Sequence, residues 1–138
     1  PGDCFLLGVD LVKDEAVLQA AYDDAGGVTA AFNRNLLVRL NRELDADFNP
    51  ATFGHRAVWN AAESRMEMHL VSAKQQEVWL PGIDLRVKFD VGESIHTENS
   101  YKYKPGAAEA LLAKAGFWPE ATWTDERGWF AVVLARAL

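Results

Sequence analysis

The stretch Arg65-Met66-Glu67-Met68-His69-Leu70-Val71 alternates apolar and polar residues, and Ile83-Asp84-Leu85-Arg86-Val87-Lys88-Phe89-Asp90 does the same. Successive side chains of a strand leave opposite faces, so both segments predict half-buried strands with one apolar face. Turn residues bound them. Ala62-Glu63-Ser64 joins a strand over 56–61 to the first, Pro81-Gly82 has the residues of a type II turn, and Gly92 precedes a further strand. The middle of the chain therefore predicts an antiparallel meander of about five short strands.

Toward the N-terminus the period changes to that of a helix. Val28, Ala31, Phe32, Leu36, Leu40 and Leu44 predict an amphipathic helix with Asn33, Arg34, Arg39 and Arg42 on its other faces. Val17, Leu18, Ala21 and Tyr22 predict a shorter helix before it, which Asp14 can cap and Gly26-Gly27 ends. Phe5-Leu6-Leu7-Gly8-Val9 is a continuous apolar run closed by Asp10, the pattern of a strand buried on both faces at the centre of a parallel sheet. Asn49-Pro50 starts a short helical turn. Beyond the meander, Ala108, Leu111, Leu112 and Ala115 predict a helix that Pro105 starts and Gly116 stops. Two strands then flank the turn Asp125-Glu126-Arg127-Gly128.

With 49% hydrophobic and 25% charged residues in 138, the composition is that of one globular domain. A net charge of -6 argues against nucleic acid or an anionic membrane, since both reward a concentrated basic face, and favours a small-molecule or protein partner. Cys4 is the only cysteine, which excludes an intrachain disulfide and a cysteine metal cluster. No apolar run approaches the roughly 20 residues a bilayer requires, and the apolar N-terminal stretch lacks the basic leader of a signal peptide. A cytoplasmic protein is expected. The chain opens on Pro1 and enters an apolar strand at once, which we read as part of something longer.

Few residues suggest chemistry by themselves. Glu98 and Ser100 are two apart on a predicted strand, so they share a face, either as an ordinary solvated surface or as a pair that grips a small polar ring. A carboxylate accepts from an imidazole N–H, and a hydroxyl serves the other ring nitrogen. His96 and Lys102 alternate onto the same face. Tyr22 and Met68 read first as packing residues. His55, His69 and His96 stand at no metal-binding spacing, so no metal site is expected. No Ser sits in a nucleophile-elbow context.

Tyr22-Asp23-Asp24-Ala25-Gly26-Gly27-Val28-Thr29-Ala30-Ala31-Phe32-Asn33-Arg34-Asn35, together with Arg65-Met66-Glu67-Met68 and Thr97-Glu98-Asn99-Ser100-Tyr101-Lys102-Tyr103, resembles the C-terminal part of the histidine-specific, S-adenosylmethionine-dependent methyltransferases of ergothioneine biosynthesis. The likeness extends over most of the chain. It implies that Glu98, Ser100 and Met68 line the imidazole of bound L-histidine and that Tyr22 bonds its carboxylate. The activity implied is trimethylation of the α-amine to hercynine, with no residue here acting as a nucleophile. The fold implied is α/β: residues 1–12 a late strand of a Rossmann-like domain, 13–102 an α+β substrate-binding insertion with an antiparallel sheet, and 103–138 the closing helix and hairpin. The glycine-rich cofactor loop of a Rossmann-like enzyme is not found between Pro1 and Leu138. S-adenosylmethionine is therefore expected to bind mainly upstream, on a missing N-terminal half, leaving this piece inactive alone. A non-catalytic binding module and a methyltransferase for another aromatic amino acid are the alternatives.

Overall fold

A computed structural model describes every residue from Pro1 to Leu138. The order is β1 (Cys4–Asp10), α1 (Glu15–Tyr22), α2 (Val28–Leu44), β2 (Phe53–Asn60), β3 (Arg65–Ser72), β4 (Gln76–Leu80), β5 (Leu85–Phe89), β6 (Ser94–Tyr101), α3 (Ala107–Lys114), β7 (Phe117–Thr124) and β8 (Phe130–Ala137). Single 3-10 turns stand at Pro50–Thr52 and Pro81–Ile83. The class is α/β with antiparallel pairing. No helix is long and apolar enough to cross a membrane. The chain divides into two units: Pro1–Asp14 with Ala61–Arg65 and Tyr101–Leu138, and Glu15–Asn60 with Met66–Ser100.

In the first unit three strands form a sheet in the order β1-β8-β7. β1 pairs antiparallel with β8 from Cys4↔Arg136 to Asp10↔Phe130, so the expected place at the centre of a parallel sheet is not what this strand occupies here. Its side chains are also less covered than the apolar run suggested, with Leu6 63% exposed. Apolar continuity reports a strand's composition, whereas its partner is set by residues more than a hundred positions away. One sheet face carries α3, where Val9, Leu11, Ala108, Leu112, Ala131, Val133 and Ala135 form the core. The small alanines of β8 let the helix approach closely. A Cβ at Gly8 would lie 2.9 Å from the tip of the Phe130 ring, which would have to shift to admit it.

The second unit places the five strands of the meander in two sheets, β2-β3-β6 and the antiparallel pair β4-β5. Its main core gathers Leu37, Phe48, Phe53, Leu70, Val78, Leu80 and Phe89, with the rings of Phe53 and Phe89 meeting edge-on at 5.3 Å. Each fully buried side chain of this kind contributes about 1.5–3 kcal/mol. α2 spans the predicted residues but docks on a different face. Leu37 and Asn33 are buried, while Val28 and Phe32, expected in the apolar stripe, are exposed. The inward row Asn33, Leu37, Leu40, Leu44 is selected by the shape of the sheet beneath, and Asn33 is admitted because its amide is satisfied there. The expected type II turn at Pro81-Gly82 is instead a 3-10 turn closed by Asp84 at φ 51°. Gly82 is required for contact: a Cβ would stand 3.0 Å from the Leu44 backbone.

Candidate functional site

Tyr22 closes α1 and packs against Leu18, Ala57 and Met66. Its hydroxyl meets the Ser100 Oγ at 2.6 Å, joining residues 78 positions apart. The loop that follows is held by Asp24, whose carboxylate accepts from the amides of Val28 (3.0 Å) and Thr29 (2.8 Å) and so caps α2. Those amide hydrogen bonds lower its pKa to about 2. Gly27, at φ 68°, supplies the left-handed turn into the helix. The Tyr-Asp-Asp-Ala-Gly-Gly-Val-Thr run is therefore a hinge that fixes Tyr22 at one helix end and aims α2 from the other.

A relay that sequence reasoning missed supports the same corner. Asn33 Nδ2 donates to His55 Nδ1 (3.0 Å), and His55 Nε2 donates to the carbonyl of Tyr22 (2.8 Å). An amide nitrogen can only donate and a carbonyl can only accept, so this pair of contacts selects the His55 tautomer. Helical spacing offered no signal for Asn33. Its place within the Tyr22–Asn35 motif was the available one.

Glu98 lines a cleft of about 190 Å³ with Phe32, Asn33, Asn35, Leu36, Arg39 and Thr97. Arg39 is engaged by Glu43 at 3.1 Å, and Thr97 Oγ1 donates to the carbonyl of Met68 (2.9 Å). Met68 itself is buried and is not among the cleft's lining residues. The structure thus joins Tyr22 to Ser100, sets Glu98 in a cleft against α2, and keeps Met68 in the sheet interior.

Strict alternation along β6 does not hold. His96 stacks on His69 (ring centroids 4.6 Å apart), hence on the sheet face opposite Met68, whereas Ser100 turns to Tyr22 on the face of Met66. The adjacent Thr97 and Glu98 both line the cleft, so the side-chain period slips by one residue between His96 and Ser100. His96 therefore does not share the face of Glu98. Its Nε2 donates to the Glu98 carbonyl at 3.2 Å. His69 Nε2 stands 3.3 Å from Glu67 Oε2, and its Nδ1 is buried without a hydrogen-bond partner. Burial, with the Arg56 charge, holds the His69 pKa below the usual value against the opposing pull of Glu67.

Lys102, expected on the Glu98 face, belongs to the first unit and is buried there, its ammonium 2.8 Å from Asp10 Oδ2. Lys13 binds the other oxygen of Asp10. Partial burial raises the Asp10 pKa, but the hydrogen bonds from Lys102 and Lys13 outweigh it and the net shift is downward.

Helices on antiparallel sheets, with a small cleft of mixed polar and apolar lining beside α2, define an α/β protein. A family model described as "Histidine-specific methyltransferase, SAM-dependent" matches residues 1–137, and the chain belongs to that family. It is 54% identical over 135 residues to a histidine N-alpha-methyltransferase of Mycobacterium tuberculosis (strain CDC 1551 / Oshkosh), covering 98% of this chain and 42% of that protein. A protein of the same name from Mycolicibacterium smegmatis (strain ATCC 700084 / mc(2)155) is 51% identical over 135 residues, with the same coverage of both chains. The chain spans about two fifths of the length of these curated relatives. The family suggested by the motifs is thus the family that matches.

The residues present do not fit S-adenosylmethionine, the cofactor this family implies. The β1-β8-β7 sheet is antiparallel, and β1 is followed by Leu11-Val12-Lys13-Asp14, with no glycine where a backbone must approach a nucleoside. At the start of α2, Asp24 already takes the amides of Val28 and Thr29.

Proposed function

We propose that this chain is the substrate-selecting, C-terminal portion of an enzyme that trimethylates the α-amine of L-histidine. The observation that carries the reading is the Tyr22–Ser100 contact at 2.6 Å, which brings two distant motifs of the family resemblance into one corner of the second unit. In this reading Glu98 accepts from an imidazole N–H at the cleft, Ser100 serves the other ring nitrogen, and the Tyr22 hydroxyl bonds the carboxylate. Met68 backs the ring's apolar edge from the sheet interior. These contacts orient the amine, and none of the residues acts as a nucleophile. A carboxylate facing an apolar ring would lose its N–H partner, which disfavours other aromatic amino acids.

The finer architecture belongs to the same proposal. Residues 1–12 and 103–138 are pieces of a Rossmann-like domain, and 13–102 are its substrate-binding insertion. Support comes from the sheet of the first unit, which carries α3 on one face. The register sets Leu6, Trp118, Trp123 and Phe130 on the other, all at least 45% exposed. A sheet of the doubly wound class covers both faces with helices, so further chain is expected to lie there. S-adenosylmethionine is held mainly by that further chain, and the location is cytoplasmic.

The test is Glu98→Ala in the full-length enzyme. Losing a charged hydrogen bond worth about 1.5–3 kcal/mol lowers kcat/KM for histidine roughly 10- to 150-fold. A loss below threefold would remove Glu98 from the imidazole site. Tight binding of S-adenosylmethionine to residues 1–138 alone would overturn the cofactor's placement.

A further inference from the structure

On the sheet face opposite Met68, three side chains converge that the proposed methyltransferase reading does not use. Glu67 and His69 come from β3 and His96 from β6, and one ligand atom from each lies within 4.8 Å of the other two. We propose that Glu67, His69 and His96 form a binding site for a divalent transition ion of the zinc class.

The donor set is two imidazoles and a carboxylate, the combination that zinc and its neighbours favour over magnesium or calcium. The His69–Glu67 distance suits ligation, and the third ligand, which lies no more than 4.8 Å from the others, would have to close in on the ion. A charge-assisted N–H···O⁻ bond runs about 2.7–2.9 Å, and His69 Nε2 stands 3.3 Å from Glu67 Oε2. Two donors on a tetrahedral ion with bonds of about 2.0–2.1 Å sit roughly 3.3–3.4 Å apart.

The surroundings supply orientation. Asn60 Nδ2 donates to Glu67 Oε1 at 2.9 Å, fixing the carboxylate plane from outside as second ligand layers do. The stacking of the two rings, 4.6 Å between centroids and 24° between planes, keeps His96 beside His69 although His96 is exposed. That exposure leaves an entry path and room for water to complete the coordination. An ion here would cross-link β3 to β6. Because His96 also touches the Glu98 carbonyl, the cross-link would stiffen the strand that carries the cleft residue.

Spacing along one segment cannot reveal such a site, because His96 is distant in sequence from the other two and meets them only through strand pairing. The inference does not depend on the methyltransferase reading, since the ligands lie on the other sheet face.

The experiment is titration of Zn²⁺, and separately Co²⁺, into the chelator-treated full-length protein, followed by calorimetry and, for Co²⁺, by visible absorption. The expected result is saturable binding of one ion per chain. His96→Ala, an exposed position where the fold should survive, and His69→Ala should each weaken it at least tenfold, while Lys74→Ala leaves it unchanged. Loss of the cobalt bands in His96→Ala would support direct ligation. No saturable binding at millimolar metal, or equal affinity in both histidine variants and the parent protein, would overturn the proposal.

Discussion

Asp10→Ala should destabilise the protein far more than Lys102→Met, although each removes one member of the same ion pair. The Lys102 side chain is 1% exposed and its ammonium lies 2.8 Å from Asp10 Oδ2, while Asp10 is 33% exposed and is bound by Lys13 as well. Without Asp10 a buried ammonium loses an ion-pair partner at 2.8 Å, at a cost of about 3–5 kcal/mol. Without the ammonium, Asp10 keeps Lys13 and water, and a methionine side chain fills nearly the same volume. That change costs about 1 kcal/mol. The double variant should resemble Lys102→Met, giving a coupling of roughly 3–5 kcal/mol in a double-mutant cycle. Urea unfolding of the full-length protein, followed through tryptophan emission, measures all three. The pH dependence follows from the lowered folded-state pKa of Asp10. A depressed carboxylate pKa contributes stability that is fully present above the unfolded value near 4 and is lost as pH falls through the lower folded value. The parent protein should therefore lose stability below about pH 4, and Asp10→Ala should lose less over that interval. A Lys102→Met variant as unstable as Asp10→Ala would refute the asymmetry on which this reasoning rests.

Three further outcomes can be measured. Tyr22→Phe and Ser100→Ala should each raise KM for histidine in the full-length enzyme, and the double variant should be no worse than the poorer single one, because the hydroxyls already meet at 2.6 Å; additive losses would mean that they act separately. Asn33→Leu should cost about 2–4 kcal/mol in thermal or urea unfolding, since it leaves His55 Nδ1 and the His69 carbonyl without their donor, and a neutral result would contradict the relay. Gly82→Ala should lower stability by about 1–3 kcal/mol through its contact with the Leu44 backbone, and unchanged stability would show that the turn yields without cost.

Much of the element order was legible because periodicity and turn residues are local. The bounds of α2 follow from the glycine before Val28 and the apolar repeat to Leu44, and the five strands of the meander follow from alternation. The docking face of α2 was not legible. Apolar spacing marked Phe32 for the core, yet Asn33 and Leu37 are buried, because a polar side chain can face inward once its partners are there. The candidate site divides similarly. Resemblance marked Tyr22 and Ser100, and their contact appears only when α1 and β6 meet. Strict alternation puts His96 and Lys102 on the face of Glu98; the slip along β6 breaks that rule for His96, and Lys102 lies beyond the end of the strand.

The sequence by itself determined the α/β class, the family and the residue types offered to a ligand, since these depend on neighbours a few positions apart or on motifs read whole. Only the tertiary structure decided which face each strand presents, that β1 pairs antiparallel with β8, that Lys102 is buried on Asp10, and that Glu67, His69 and His96 converge. The reason is physical: a strand's alternation carries no information about its partner or its slips. Hydrogen-bond register between segments far apart in the chain settles both.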